Sequence, residues 1–237
     1  MKLKHTHLAA LAAITLAGSA SAALTVGDII SVNFAGTGFG ATPTGAAVIG
    51  ATGDTWNDIR GAAGSSLSGT VALNEVDGSV SGVSVGVSAG FFNGSMSDGS
   101  NLDVFESDIY IDQTGSWGPT GPSTITLTGL GAGTIVDLYV YGAPGHAIGQ
   151  DGQFVFGATT KTTSDATTIE ISYVENVNYV KFATLVADGS GTITGTWTDI
   201  GGQGSTLNGL QLQVIPEPSA ALLGGLGMLC ILRRRRA

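Results

Sequence analysis

Apolar and β-branched residues recur at every second position in short runs, and turn residues rich in glycine separate the runs. A period of two places neighbouring side chains on opposite faces of an extended chain, which is the pattern of a half-buried strand. Ser123-Thr-Ile-Thr-Leu-Thr128 sets Ile125 and Leu127 on one face and threonines on the other. Further runs are Ile29–Phe34, Thr70–Val76, Val80–Ser88, Asp108–Asp112, Ile135–Tyr141 and Gln153–Phe156. Thr168–Val174, Tyr179–Val186, Thr192–Thr198 and Leu207–Val214 complete the set. Asp77-Gly78, Asp98-Gly99, Asp151-Gly152 and Asp188-Gly189 read as turns between them. No long stretch has a helical period, although a brief helix over Asp54–Ala63, capped by Asp54 or Thr55, fits the local sequence. About eleven short strands at near-even spacing predict an all-β fold, an antiparallel β-sandwich or jelly roll. A parallel β-solenoid is the alternative, and the absence of a fixed short repeat argues against it.

The 38 glycines among 237 residues are too few and too irregular for collagen. The charge is −9, and six of the nine basic residues lie in the first four or last five positions. Arg60, Lys161 and Lys181 are the other three, too few and too scattered for a nucleic-acid backbone. The two ends therefore differ in kind from the middle.

The N-terminus has lysines at Lys2 and Lys4, an apolar stretch over Leu8–Ala17, and Ala20-Ser21-Ala22. A basic region, a short apolar region and an A-x-A site in that order predict a secretory signal peptide over residues 1–22, cut after Ala22. At the other end, Pro216-Glu217-Pro218 precedes an apolar run over Ser219–Leu232 and the cluster Arg233, Arg234, Arg235 and Arg236. The run is shorter than the ~20 residues of a usual bilayer span. A short apolar helix with a basic stop on the cytoplasmic side nonetheless suits transient membrane residence as a transmembrane helix. Two prolines deny regular structure around Glu217, so the box is expected to be an extended peptide accessible to a protease.

These features of residues 214–237 resemble the PEP-CTERM sorting signal of Gram-negative bacteria, a tail also called the ice-binding protein C-terminal domain. That second label names the tail and implies no ice binding here. The resemblance implies recognition by exosortase, a membrane protease-transpeptidase. It also implies passage through the inner membrane and delivery to the cell surface or a polysaccharide-rich extracellular matrix.

The middle, residues 23–213, is long enough for one β-domain with a substantial core. Between the two ends, three basic residues face 17 acids, a charge of −14. The single cysteine, Cys230, falls in the tail. A disulfide within the chain is thus excluded, and the domain depends on packing and strand pairing.

Thr128-Gly-Leu-Gly-Ala-Gly-Thr-Ile-Val-Asp-Leu-Tyr-Val-Tyr141 resembles a hairpin of bacterial surface β-sandwiches. With Gly53–Asn57, Ala187–Ile193 and Leu207–Leu212 it gives the domain a likeness to jelly-roll, galactose-binding-like modules. No ligand signature accompanies that likeness. Aromatic faces stack on sugars, which marks Trp117 and Trp56 as candidate platforms, whereas Trp197 alternates like a core residue.

His146 is the only histidine after signal removal, and no Gly-x-Ser-x-Gly elbow is present. Asp108 and Asp112 share strand parity, and paired carboxylates are the requirement for a secreted glycoside hydrolase. Asp98, Asn101, Asp103, Glu106 and Asp108 also supply five oxygen donors for a candidate calcium loop, although not at EF-hand spacing. The expected protein is a non-catalytic, exported component of the cell surface or matrix, with no required cofactor. A carbohydrate-binding module is the first alternative and a hydrolase the second.

Overall fold

The computed structural model describes residues 24–217, apart from Ser68, residues 94–101, Gln113, 116–117, 144–148, Asp165 and 167–170. The described residues are nearly all β, 47% strand and 2% helix. The strands are β1 (Ile29–Gly36), β2 (Asn57–Gly61), β3 (Thr70–Asn74), β4 (Val80–Val87), β5 (Phe91–Phe92), β6 (Ile109–Ile111) and β7 (Ser123–Thr128). They continue as β8 (Ile135–Tyr141), β9 (Gly152–Phe156), β10 (Thr159–Thr162), β11 (Tyr179–Val186), β12 (Ile193–Asp199), β13 (Ser205–Leu207) and β14 (Gly209–Val214). One 3-10 turn spans Asp103–Phe105.

A five-stranded sheet runs β11-β8-β14-β1-β2, and a six-stranded sheet runs β10-β9-β12-β7-β4-β3. A short third sheet, β13-β6-β5, completes the set. Inward residues of all three meet in one core. Val136, Leu138 and Val140 of β8 lie in it with Ile125 and Leu127 of β7 and Trp197 of β12. The β7 run behaves as its alternation dictates, since Ser123, Ile125 and Leu127 are buried and the three threonines are only partly so. This is β-sandwich character, built on mostly antiparallel pairs.

β8 and β14 are almost fully buried along their length, because both of their faces are covered. Tyr139 and Tyr141 point to a second apolar cluster with Trp56, Val104, Phe105 and Ala143. The segment Ala47–Ile49 packs on this cluster. Gln211 of β14 holds that segment by both backbone groups of Ile49: its Oε1 accepts from the N–H (3.3 Å) and its Nε2 donates to the carbonyl (3.1 Å). The Tyr141 hydroxyl donates to the same Gln211 Oε1 and accepts from the Val48 N–H.

Several sequence expectations are corrected. The Asp54–Ala63 stretch is no helix: it contains β2, which pairs in parallel with β1. The Asn57 side chain settles this, donating to the carbonyls of Ser31 and Asn74 and accepting from the Asn74 N–H. These bonds require an extended chain between β1 and β3. Gly61 has no room for a side chain, since a Cβ there would come within 2.1 Å of the Phe92 ring. The Asp151-Gly152 pair is not a turn, because Gly152 opens β9. The turn lies further on, at Gly157-Ala158, and feeds the unexpected edge strand β10. Of Thr168–Val174, the described part forms no strand, and Ile171 and Val174 are exposed. The Asp77-Gly78 and Asp188-Gly189 turns stand as expected, whereas Asp98-Gly99 lies outside the described residues.

Candidate functional site

Of the residues expected to form a calcium loop, Asp103, Glu106 and Asp108 are described. Asp103 sits in the 3-10 turn. Glu106 accepts from the Ala41 N–H at 2.8 Å. Asp108 is completely buried. Asp98 and Asn101 lie outside the described residues, and among the described residues no three acids, histidines or cysteines group around a metal position.

Asp108 and Asp112 do flank β6 with the same parity, opposite the buried Ile109 and Ile111. Four residues of extended chain separate their Cα atoms by about 13 Å. Carboxylates that hydrolyse glycosides stand about 5–10 Å apart, less than this backbone spacing. Asp112 caps its own turn, accepting from the Thr114 N–H and hydroxyl. Asp108 is different: neither carboxylate oxygen has a well-formed hydrogen bond, although the Asn93 side chain lies near enough to favour the ionised form. Burial pushes its carboxyl up to about 7, and the Asn93 side chain offsets part of that.

A cavity of about 540 Å³ lies at the end of the fold where the chain enters and leaves. Asp28, Asp54, Glu75, Asp77 and Gln213 line it. Turn chemistry explains three of the four acids. Asp28 accepts from the N–H and hydroxyl of Thr25, Asp54 from the Ala51 N–H, and Asp77 from the Ser79 N–H. Burial raises the Glu75 carboxyl above its ordinary value, and the like charges of Asp28 and Asp77 raise it further. The Ser79 side chain and N–H hold Asp77 below its ordinary value.

The tryptophans divide. Trp197 is fully buried, stacked on Phe154, and its indole N–H donates to the Ser205 hydroxyl at 2.7 Å. Trp56 is 8% exposed, with its indole N–H donated to the Gly45 carbonyl. Its remaining exposed edge lines a smaller cavity of about 110 Å³ with Pro43, Thr44, Leu102, Asp103 and Tyr173. Trp117 lies outside the described residues, as does His146.

At the end of the fold, the Ile215 N–H donates to the Ile135 carbonyl, and Pro216 and Glu217 follow exposed. Pro218, Cys230, Arg233, Arg234, Arg235 and Arg236 lie outside the described residues, with Ala20 and Ala22 at the other end. Among the described residues no helix is long and apolar enough to cross a membrane.

No protein-family model and no curated protein matches the chain.

Proposed function

We propose that this is an exported, non-catalytic protein of the cell surface or extracellular matrix, with a jelly-roll domain delivered by a removable sorting tail. The observation that carries the reading is the order Pro216-Glu217-Pro218, apolar run, four arginines, directly after the last strand. β14 ends at Val214, two residues before the box, so a cut there leaves every strand of the domain intact. Exposure of Pro216 and Glu217 supports access by an exosortase-type membrane protease. Asp54 and Asp77 are used for turns and Asp58 for an ion pair, which supports structural roles for these acids. The test replaces Pro216, Glu217 and Pro218 by alanine in the native host. The uncut variant should accumulate in the inner-membrane fraction while the parent leaves it. Identical processing of the two chains would refute the reading.

Carbohydrate binding is the second reading, favoured by the small cavity where Trp56 and Tyr173 meet a carboxylate. Matrix polysaccharide would then be the partner.

A further inference from the structure

The cavity beside Trp56 combines features that turn chemistry does not explain. Pro43, Trp56, Leu102, Val104 and Tyr173 contribute apolar or aromatic residues to a surface that is mostly polar. Trp56 and Tyr173 belong to a larger aromatic cluster, with Tyr173 edge-on to Tyr141 at 5.7 Å and close to Phe105 at 5.6 Å. The rings are therefore held in place from behind. Three polar side chains share the same lining: the Asp103 carboxylate and the hydroxyls of Thr44 and Tyr173. None of the three is hydrogen-bonded to another described residue, and with Thr44 exposed and Asp103 and Tyr173 half-buried all three are accessible to a ligand. Burial and the neighbouring Asp103 charge together hold the Tyr173 hydroxyl protonated, at about 12, so it stands as a donor beside an acceptor.

Aromatic residues beside converging polar groups suit a small polar ligand with one apolar face. At about 110 Å³ the space suits part of one small ring and not a chain of several. The domain's charge of −14 disfavours anions. We propose that this cavity binds the edge of a single uncharged sugar ring, whose hydroxyls donate to Asp103 and exchange hydrogen bonds with Tyr173 and Thr44 while its C–H groups lie against the exposed edge of Trp56. The proposal rests on the carbohydrate-binding reading and gives it a place and a ligand class.

The test titrates the full chain with methyl glycosides of glucose, galactose, mannose and N-acetylglucosamine, with glucuronate and glucosamine alongside, read by ligand-observed NMR. Asp103→Asn and Tyr173→Phe keep side-chain volume, and thermal melts verify that both fold. At least one uncharged glycoside should bind, and glucuronate should not. A charge-assisted hydrogen bond is lost in D103N, which should weaken binding about tenfold or more. Y173F loses a neutral one and should weaken it about threefold to tenfold. Binding unchanged in both variants would overturn the site and leave carbohydrate binding standing elsewhere. No binding of any glycoside would overturn both. Binding of glucosamine alone would overturn the sugar assignment in favour of a cation site.

Discussion

A carboxylate with no well-formed hydrogen bond and no exposure is costly, and Asp108 is such a group. Its folded proton affinity is raised to about 7 from the ordinary 3.8. A raised carboxyl favours the folded state fully below about pH 4, and that advantage is lost as pH climbs through 7. The difference amounts to at most about 4 kcal/mol. The domain should therefore melt higher at pH 5 than at pH 8. Asp108→Asn, which carries no charge at any pH, should raise the pH 8 melting temperature by several degrees and flatten the profile between pH 4 and 7. Parallel pH profiles for the two proteins would refute this. Strand parity alone made Asp108 visible in the sequence as a partner of Asp112. What parity could not convey is that the two Cα atoms are about 13 Å apart along the chain. Nor could it convey that one caps a turn while the other is sealed in.

Among the elements, strands with alternating faces were legible and those held by side chains were not. Ser123–Thr128, Ile135–Tyr141 and Tyr179–Val186 are read from the sequence with their boundaries intact. β2 was missed because its Asn57-Asp-Ile-Arg-Gly61 sequence is polar, with only Ile59 reaching the core. Its extended form comes from Asn57 bonding to chains 17 and 26 residues away, which no local pattern encodes. The covering of the five-stranded sheet is a similar case. Gln211 is 1% exposed and holds Ile49, Ser31 and Tyr141 at once. Gln211→Ala should cost roughly 2–3 kcal/mol, because it leaves several buried groups unpaired. Hydrogen exchange should also quicken at the Val48 and Ile49 amides before it does in β8. Uniform destabilisation with no preference for those two amides would contradict the anchoring role.

For the molecule as a whole, charge is the distinguishing property. Each of the three basic side chains of the domain is paired with an acid: Arg60 with Asp58, Lys161 with Glu175 and Lys181 with Asp137. The remaining acids repel one another without compensation. Raising salt from about 0.01 M to 0.15 M shortens the screening length from about 30 Å to about 8 Å and should raise the melting temperature. A melting temperature that falls with added salt would contradict this. The sequence made this division plain, because the basic residues are concentrated at the two ends and the acids in the middle. It also placed the Pro-Glu-Pro box beyond the final strand, at the point where β14 stops. Export and sorting are the central claim, and mass spectrometry of the protein isolated from its native cells tests them most directly. The mature chain should begin at Ala23 and end near Pro216–Pro218. A chain still ending in Arg236-Ala237 would contradict the claim.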